Sequence, residues 1–329
     1  MEEDMRPIVI VLLIGLGGAL AAQHAVAQSA GAYPSRPIRL VLPAAPGGPV
    51  DVIGRTMSAG LADALGQTIV IDNRAGAGGI IGAEIVMNAN PDGYTLMFAH
   101  SGPLAIEAAV HSKLSYHPVK DFAPVSLVAA SPYVLVVAPA SPAKSVKELV
   151  ALVRSRPGKF HFGSGGVGTG LHMAGELLNH AAGIKMIHVP YKGAAPSMTA
   201  LMGGEVDAMF NGVSSALPHV KAGRLRALAV SSAQRSSLFP ELPTVAESGL
   251  KYDTAGWYGL VAPARTPKAI TGRLQSQLHK ALNTPDMKQR LAAQGIEGIA
   301  STPETLTRHL RAELDKWTAV VKAAGLGAN

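Results

Sequence analysis

From Arg36 onward the chain alternates short apolar runs of strand length with stretches in which apolar residues recur every three or four positions. Ile38–Leu42 predicts a strand stopped by Pro43, and Ile53, Met57, Leu61 and Leu65 share one face of a helix that ends at Gly66. The unit repeats as strand Thr68–Ile71, a glycine-rich turn, helix Ile80–Ala89 and strand Thr95–Ala99, which completes a βαβαβ block. Two strands, Val125–Ala129 and Tyr133–Ala138, follow without a helix between them. A second series then runs through helix Val146–Ser155, strand Phe160–Phe162, helix Leu171–Ala182, strand Met186–Val189, helix Ala195–Met202, strand Val206–Phe210, helix Ser215–Ala222 and strand Leu225–Val230. Past the turn-rich stretch Ser231–Pro243, Trp257–Val261 reads as a strand and the remainder as helical, with Leu306, Leu310, Leu314, Trp317 and Val321 on one face.

This alternation predicts an α/β fold of two lobes, each a mostly parallel sheet flanked by helices. The first lobe is expected from residues 33–135 plus 257–329 and the second from 136–256. Ligands in such folds sit beyond the carboxyl ends of strands, which directs attention to the cleft between the blocks.

With 329 residues, 48% apolar and 16% charged, the chain can bury two cores and is not a disordered or fibrous sequence. Its 36 Gly and 23 Pro show no fixed period and suit a fold with many short connections. The absence of Cys removes disulfides, thiolate zinc sites and cysteine nucleophiles. The net charge of +7 comes from dispersed bases with no aromatic interleaving, which argues against nucleic acid.

The apolar run Ile8 to Ala22 is shorter than the ~20 residues needed to span a bilayer and precedes Ala25-Val26-Ala27, a small-x-small cleavage pattern. Residues 1–27 are therefore expected to be a cleaved secretory signal delivering the chain to the periplasm. Glu2, Glu3 and Asp4 are unusual ahead of such a run, whereas a start at Met5 would leave Arg6 there. Removing the segment makes the remainder more basic, consistent with an anionic partner.

The candidate chemistry lies in glycine-rich loops between strands and helices. Pro46-Gly47-Gly48-Pro49-Val50-Asp51 opens the first helix, where closely approaching amides and the helix dipole would stabilise a carboxylate or phosphate. Asp51 reads as a first-turn dipole residue rather than a catalytic acid, and Arg74 in Asn73–Gly79 as a surface residue. His100-Ser101-Gly102 ends the third strand. The Gly163–Gly170 run formally contains G-x-G-x-x-G at Gly163, Gly165 and Gly168, but no acid stands where a ribose would need one: His188-Val189-Pro190-Tyr191-Lys192-Gly193 occupies that place. An anion cradle with Ser164 and Thr169 as hydroxyl donors is the simpler reading. No G-x-S-x-G, Walker loop or His-Glu-x-x-His occurs, and the 11 His show no metal-ligand spacing with acids. His172 reads as a structural hydrogen-bonder. No catalytic, metal or cofactor site is expected.

Taken together, the ordered loops Pro46–Asp51, Asn73–Gly79, Pro91-Asp92-Gly93-Tyr94-Thr95, Gly163–Gly170 with His172, Pro190–Gly193, Gly203-Gly204-Glu205-Val206-Asp207 and Leu242–Gly249 resemble the Bug family of extracytoplasmic solute receptors. These are the substrate-binding components of tripartite tricarboxylate transporters. The resemblance implies a two-lobed periplasmic binding protein of the type II kind, monomeric, that closes on a small organic anion and delivers it to membrane permease subunits. Carried over position by position, the implied ligand-binding residues are Gly47, Gly48 and Pro49 in the first loop, Ser101 in the third, Ser164, Gly168 and Thr169 across the cleft, Tyr191 and Lys192 on its floor, and Asn211. This sequence departs from the family pattern at Ala44, usually aromatic, at Ile80, usually Asn, and at Asn211, often Asp. A periplasmic sensor subunit with the same pocket, or an enzyme holding a nucleotide in the glycine run, are the alternative functions.

Overall fold

The computed structural model describes residues 33–236, 240–294 and 296–324. The expected signal segment lies outside the described residues. Three parallel strands open the chain, β1 (Ile38–Leu42), β2 (Ile69–Asn73) and β3 (Thr95–His100), with β1 between the other two. They are joined by helices α1 (Pro49–Leu65) and α2 (Ile80–Met87). After β3 comes a π-helical turn, Gly102–Ile106, and a short helix α3 (Glu107–Val110), neither of which the apolar periodicity foreshadows.

The two strands expected between Val125 and Ala138 are one, β4 (Phe122–Val137). The break expected there does not form because Pro132 and its neighbours find partners on both sides. Up to Pro132, β4 pairs antiparallel with β9 (Ala255–Pro263), and from Tyr133 it pairs with β7 (Ala208–Gly212) and β8 (Arg226–Val230). One strand thus belongs to two sheets, and the hand-over falls at Pro132/Tyr133. The second sheet adds β5 (His161–Ser164), parallel to β7 and to β6 (Ile187–Pro190). Its helices are α4 (Val146–Ser155), α5 (Gly170–Ala182), α6 (Ala194–Gly203) and α7 (Val213–Lys221). Helices α8 (Lys268–Leu282), α9 (Pro285–Ala293) and α10 (Pro303–Ala324) return to the first sheet, and the two-residue β10 (Glu297–Gly298) pairs with β4.

Strand periodicity explains why each sheet is covered on both faces. Leu40, Leu42, Leu96 and Phe98 point to the face packed by Ile53, Met57 and Leu61 of α1 and Leu274 and Leu278 of α8. Their alternates Val41, Met97 and Ala99 meet Ala83 and Val86 of α2 and Leu306 and Leu310 of α10. The second sheet repeats this arrangement. Leu135 and Val137 face Leu149 of α4 and Leu178 of α5, whereas Val134 and Val136 face Met198 of α6 and Val213 of α7. These are two α/β lobes.

Candidate functional site

A cavity of about 470 Å³ lies where the lobes meet. Into its walls come the starts of α1 (Gly48, Pro49, Val50), α5 (Thr169, Gly170, Leu171) and α6 (Gly193, Ala194), together with Ala75–Gly79 ahead of α2 and His100-Ser101 ahead of the π-helical turn. Each helix start carries amides without an intrahelical acceptor and roughly half a positive charge. One such start favours an anion by about 0.3–1 kcal/mol, and up to ~2 kcal/mol when partly buried. Hydrogen bonds to a charged group add about 1.5–3 kcal/mol each. Three starts and a few such bonds reach the ~8 kcal/mol of micromolar binding without any buried cation.

The local sequence explains the first of these starts. Gly47, at φ +80°, makes the turn, Gly48 is the extended N-cap and Pro49, whose fixed φ suits a helix, is the first helical residue. Asp51 is buried, and its carboxylate accepts from the Gly47 amide at 2.9 Å, from Arg55 Nε at 2.9 Å and from Asn73 Nδ2 at 3.0 Å. Burial alone would raise its pKa, but the bonds from Arg55, Gly47 and Asn73 outweigh it and hold the group below the usual range. It is therefore an ionised brace for the loop, neutralised by Arg55.

The lobes touch around the cavity through small residues. A Cβ on Gly47 would stand 3.3 Å from Ala195 Cβ, one on Gly48 3.4 Å from Ala194 Cβ, and one on Gly212 2.5 Å from Pro49 Cβ. Tyr133, at the strand hand-over, lines the cavity with its hydroxyl beside Ser101 and Gly170, and a Cβ on Gly170 would overlap that hydroxyl. Burial pushes the phenol to about 12, so it remains a neutral donor. Behind the wall, Trp257 Nε1 and Trp317 Nε1 each donate to Glu313 Oε2 at 3.0 Å, which anchors the Trp257 indole in the core.

Among the residues singled out by sequence, Gly48, Pro49, Ser101, Thr169, Tyr191 and Lys192 line this one cavity. Lys192 is exposed, which places it at the mouth rather than the floor. Gly47 stands directly behind Gly48 with its amide on Asp51. The structure does not place Ser164, Gly168 or Asn211 in the lining. Ser164 is fully buried beneath the glycine loop, accepting from the Gly166 amide at 3.1 Å and pairing with His188 Nε2 at 2.6 Å. Asn211 is fully buried too, and its Oδ1 accepts from Gly212 N–H at 2.8 Å and Ser215 Oγ at 2.9 Å. Gly168, at φ +75°, packs on Glu107.

The Ser164–His188 pair has nucleophile-and-base composition, yet its hydroxyl is fully buried. His188 is stacked on His172, with centroids 4.0 Å apart, and burial followed by the neighbouring His172 lowers it to about 4. His172 in turn accepts the Gly168 amide on Nδ1 at 3.3 Å, the structural role expected of it. His100 accepts from the Gly102 amide on Nδ1 at 3.1 Å, so Nε2 carries the proton and donates to Pro43 O at 3.3 Å. Burial lowers the ring to about 4 and keeps it neutral. Among the described residues no group of three or more His, Asp or Glu could hold a metal ion, and no helix is long and apolar enough to cross a membrane.

Sequence reasoning missed Tyr133, Trp257 and Tyr258 in the lining and Glu107 next to it. The available signal for Tyr133 was its place in the segment crossing between the blocks. For Glu107, an acid in an otherwise apolar stretch, Leu104 to Val110, was the clue.

A two-lobed α/β binding protein with a cleft of convergent helix starts is the class this geometry defines. The particular family follows from comparison. Residues 53–326 match the tripartite tricarboxylate transporter family receptor, and the chain belongs to that family. It is 38% identical over 320 residues to a protein from the tcbD-tcbE intergenic region of a Pseudomonas species, covering 97% of this chain and 95% of that one. BugT of Bordetella pertussis is 36% identical over 299 residues, covering 90% and 92%. Among solved structures, the periplasmic binding protein BugD superposes with a TM-score of 0.86 at 33% identity, over 90% of this chain and all of that one (100%). A Rhodopseudomonas palustris protein with adipate gives 0.86 at 35%, covering 89% and 98%. MatC from Rhodopseudomonas palustris with bound malate gives 0.84 at 33%, covering 88% and 100%. The chain is a solute-binding receptor of this kind.

Proposed function

We propose that this receptor captures a small organic acid in the cleft, its carboxylate held by the helix-start amides, and presents the closed form to the membrane permease subunits of a tripartite tricarboxylate-type transporter. The observation that carries the reading is the convergence of the α1, α5 and α6 starts, from both lobes, on one cavity. Adipate and malate in the structural relatives support the chemistry. We assign residues 33–132 plus 255–329 to one lobe and 133–254 to the other, within three residues of the bounds read from the sequence, with closure hinging where β4 changes partners at Pro132/Tyr133, an assignment supported by the pairing registers. Gly48, Pro49, Ser101, Thr169, Tyr191 and Lys192 are the proposed ligand contacts. Gly47, Ser164, Gly168 and Asn211 act by shaping the loops.

The function is binding without bond-breaking, in a periplasmic monomer released by cleavage of residues 1–27. The fully buried hydroxyl of Ser164 supports the non-catalytic reading, because a substrate carbonyl has no approach to it. Calorimetry with mono-, di- and tricarboxylates, NAD, ATP and simple amines tests the assignment. At least one carboxylate is expected to bind at micromolar concentration. A flat response to every acid together with binding of a nucleotide or amine would overturn it.

A further inference from the structure

We propose that Ser231 is the positioning residue of the hinge, its hydroxyl clasping the two crossing strands so that the lobes hold the ligand-bound arrangement. The proposal rests on reading the protein as a receptor that closes on an acid, and it adds the residue that sets how firmly the lobes close. The chain passes between the lobes twice, at Pro132/Tyr133 in β4 and at Thr254/Ala255 where β9 begins. Pro132 and Ala255 form the last pair of the β4–β9 ladder, and at the next pair, Tyr133 and Thr254, the Ser231 hydroxyl stands between the strands. It accepts from the Tyr133 amide at 2.8 Å and donates to the Thr254 carbonyl at 2.6 Å. The Ser231 backbone ties the same two residues, donating to Tyr133 O at 2.9 Å and accepting from the Thr254 amide at 3.0 Å. All four bonds fall on the residues at which the lobes are joined.

Ser231 and Thr254 are buried, with 0% and 1% exposure, so the backbone groups served by the hydroxyl have no solvent to turn to if it is removed. In the arrangement described here the lobes touch, Gly47 against Ala195 and Gly212 against Pro49, and the clasp is complete. Separating the lobes bends the chain at Tyr133 and Thr254 and so moves the groups that the hydroxyl joins. Hydrogen bonds weaken steeply with misalignment, and the clasp therefore counts toward the closed side of the equilibrium. Tyr133 carries the effect into the cleft. Its ring packs on the second crossing strand, where a Cβ on Gly256 would stand 2.9 Å from Tyr133 Cε1, and its hydroxyl lies beside Ser101 of one lobe and Gly170 of the other. Ser231 does not itself line the cavity, so it acts on the ligand only through the placement of these strands.

The test compares wild type with Ser231→Ala on the full chain, by titration calorimetry and by stopped-flow fluorescence of Trp257 in the cavity wall. The probe is the tightest binder among malate, succinate, adipate and benzoate. Ser126→Ala is the control, another buried serine hydroxyl, held inside the first lobe where it donates to Ser301 O at 2.9 Å. Ser231→Ala is expected to weaken binding about 5-fold or more through faster dissociation, because fewer molecules hold the closed arrangement. The control should lose stability and keep both its affinity and its dissociation rate. A Ser231→Ala protein that binds and releases the acid as wild type does overturns the hinge role and leaves the receptor standing, whereas no binding of any of the four acids to wild type overturns both. Amide exchange in the wild type gives a reading that needs no variant. With the probe at saturation, the Tyr133 and Thr254 amides should slow about 5-fold or more relative to the Leu127 amide, which is held by Ser301 Oγ at 2.9 Å within one lobe. Equal slowing at all three overturns the part of the clasp in closure.

Discussion

Glu107 and Gly168 meet across the lobe boundary, with Glu107 Oε1 standing where a Cβ on residue 168 would have to be. Gly168 also has φ +75°, which a side chain resists independently. The same carboxyl group crowds Gly78, so Glu107 packs between the loop after β2 and the loop before α5, and His111 Nε2 lies 2.9 Å from its other oxygen. Two glycines therefore make room for one acid, Gly78 from its own lobe and Gly168 from the other.

Gly168→Ala is accordingly expected to weaken ligand binding by about 10-fold or more, because the side chain blocks the closed arrangement that binding requires. Gly183→Ala is the control: it has a similar φ of +58° with nothing within 4 Å of the new Cβ. The control should lose about 1 kcal/mol of stability and keep its affinity. Calorimetry and thermal unfolding of the two variants check this, and equal loss of affinity in both would refute the role of the Glu107 contact.

Burial raises the Glu107 carboxyl from 4.5 to about 7. The folded protein thus holds this proton more tightly than the unfolded chain. The stability this contributes is complete below about pH 4.5 and is lost as pH rises through about 7. Ionisation also places a negative charge beside the anion cradle, so ligand affinity should fall over the upper part of that interval. The difference in unfolding midpoint between wild type and Glu107→Gln, followed from about pH 5 to 8, should drift in favour of the variant. A constant difference would show that Glu107 keeps its ordinary acidity.

His100 and His188 act with the opposite sign. Burial lowers both from 6.5 to about 4, so the unfolded chain binds their protons more readily. Their contribution is present above about pH 6.5 and disappears as pH falls toward about 4. His188→Gln is expected to flatten the acid limb of the stability profile, measured as the slope of unfolding midpoint against pH. An unchanged slope would mean that the ring stacked on His172 titrates normally.

Tyr133→Phe removes the hydroxyl that adjoins Ser101 and Gly170 while keeping the ring in its core. The loss of one neutral hydrogen bond costs about 1 kcal/mol, and the affinity should drop by roughly 5-fold because the hydroxyl also faces the cavity. Titration calorimetry beside thermal unfolding separates the two effects. A stability loss with unchanged affinity would place the hydroxyl outside ligand contact.

The alternation of strands and helices was legible because core periodicity and breaker residues agree: Pro43 ends β1, Gly66 takes the left-handed cap of α1 at φ +67°, and Gly183 does the same for α5. The glycine loops at the helix starts were legible for the same reason, since a turn at a strand end advertises itself by composition. The long β4 was not, because Pro132 reads as a break and only the partners it meets in three dimensions carry the strand through it. Depth was equally hidden. Ser164 and Thr169 look equivalent in the glycine run, yet one lies beneath the loop and the other in the cavity wall, a distinction set by tertiary packing against His188. Glu107 was missed since its π-helical surroundings have neither strand nor α-helix period.

The most direct test of the account is a calorimetric comparison of a bound carboxylic acid with its own primary amide, identical in shape and lacking the charge. Helix-start amides drawn together from two lobes should prefer the acid by about 100-fold or more. An amide bound as tightly as the acid, or a matching amine bound more tightly, would contradict a cavity built for negative charge.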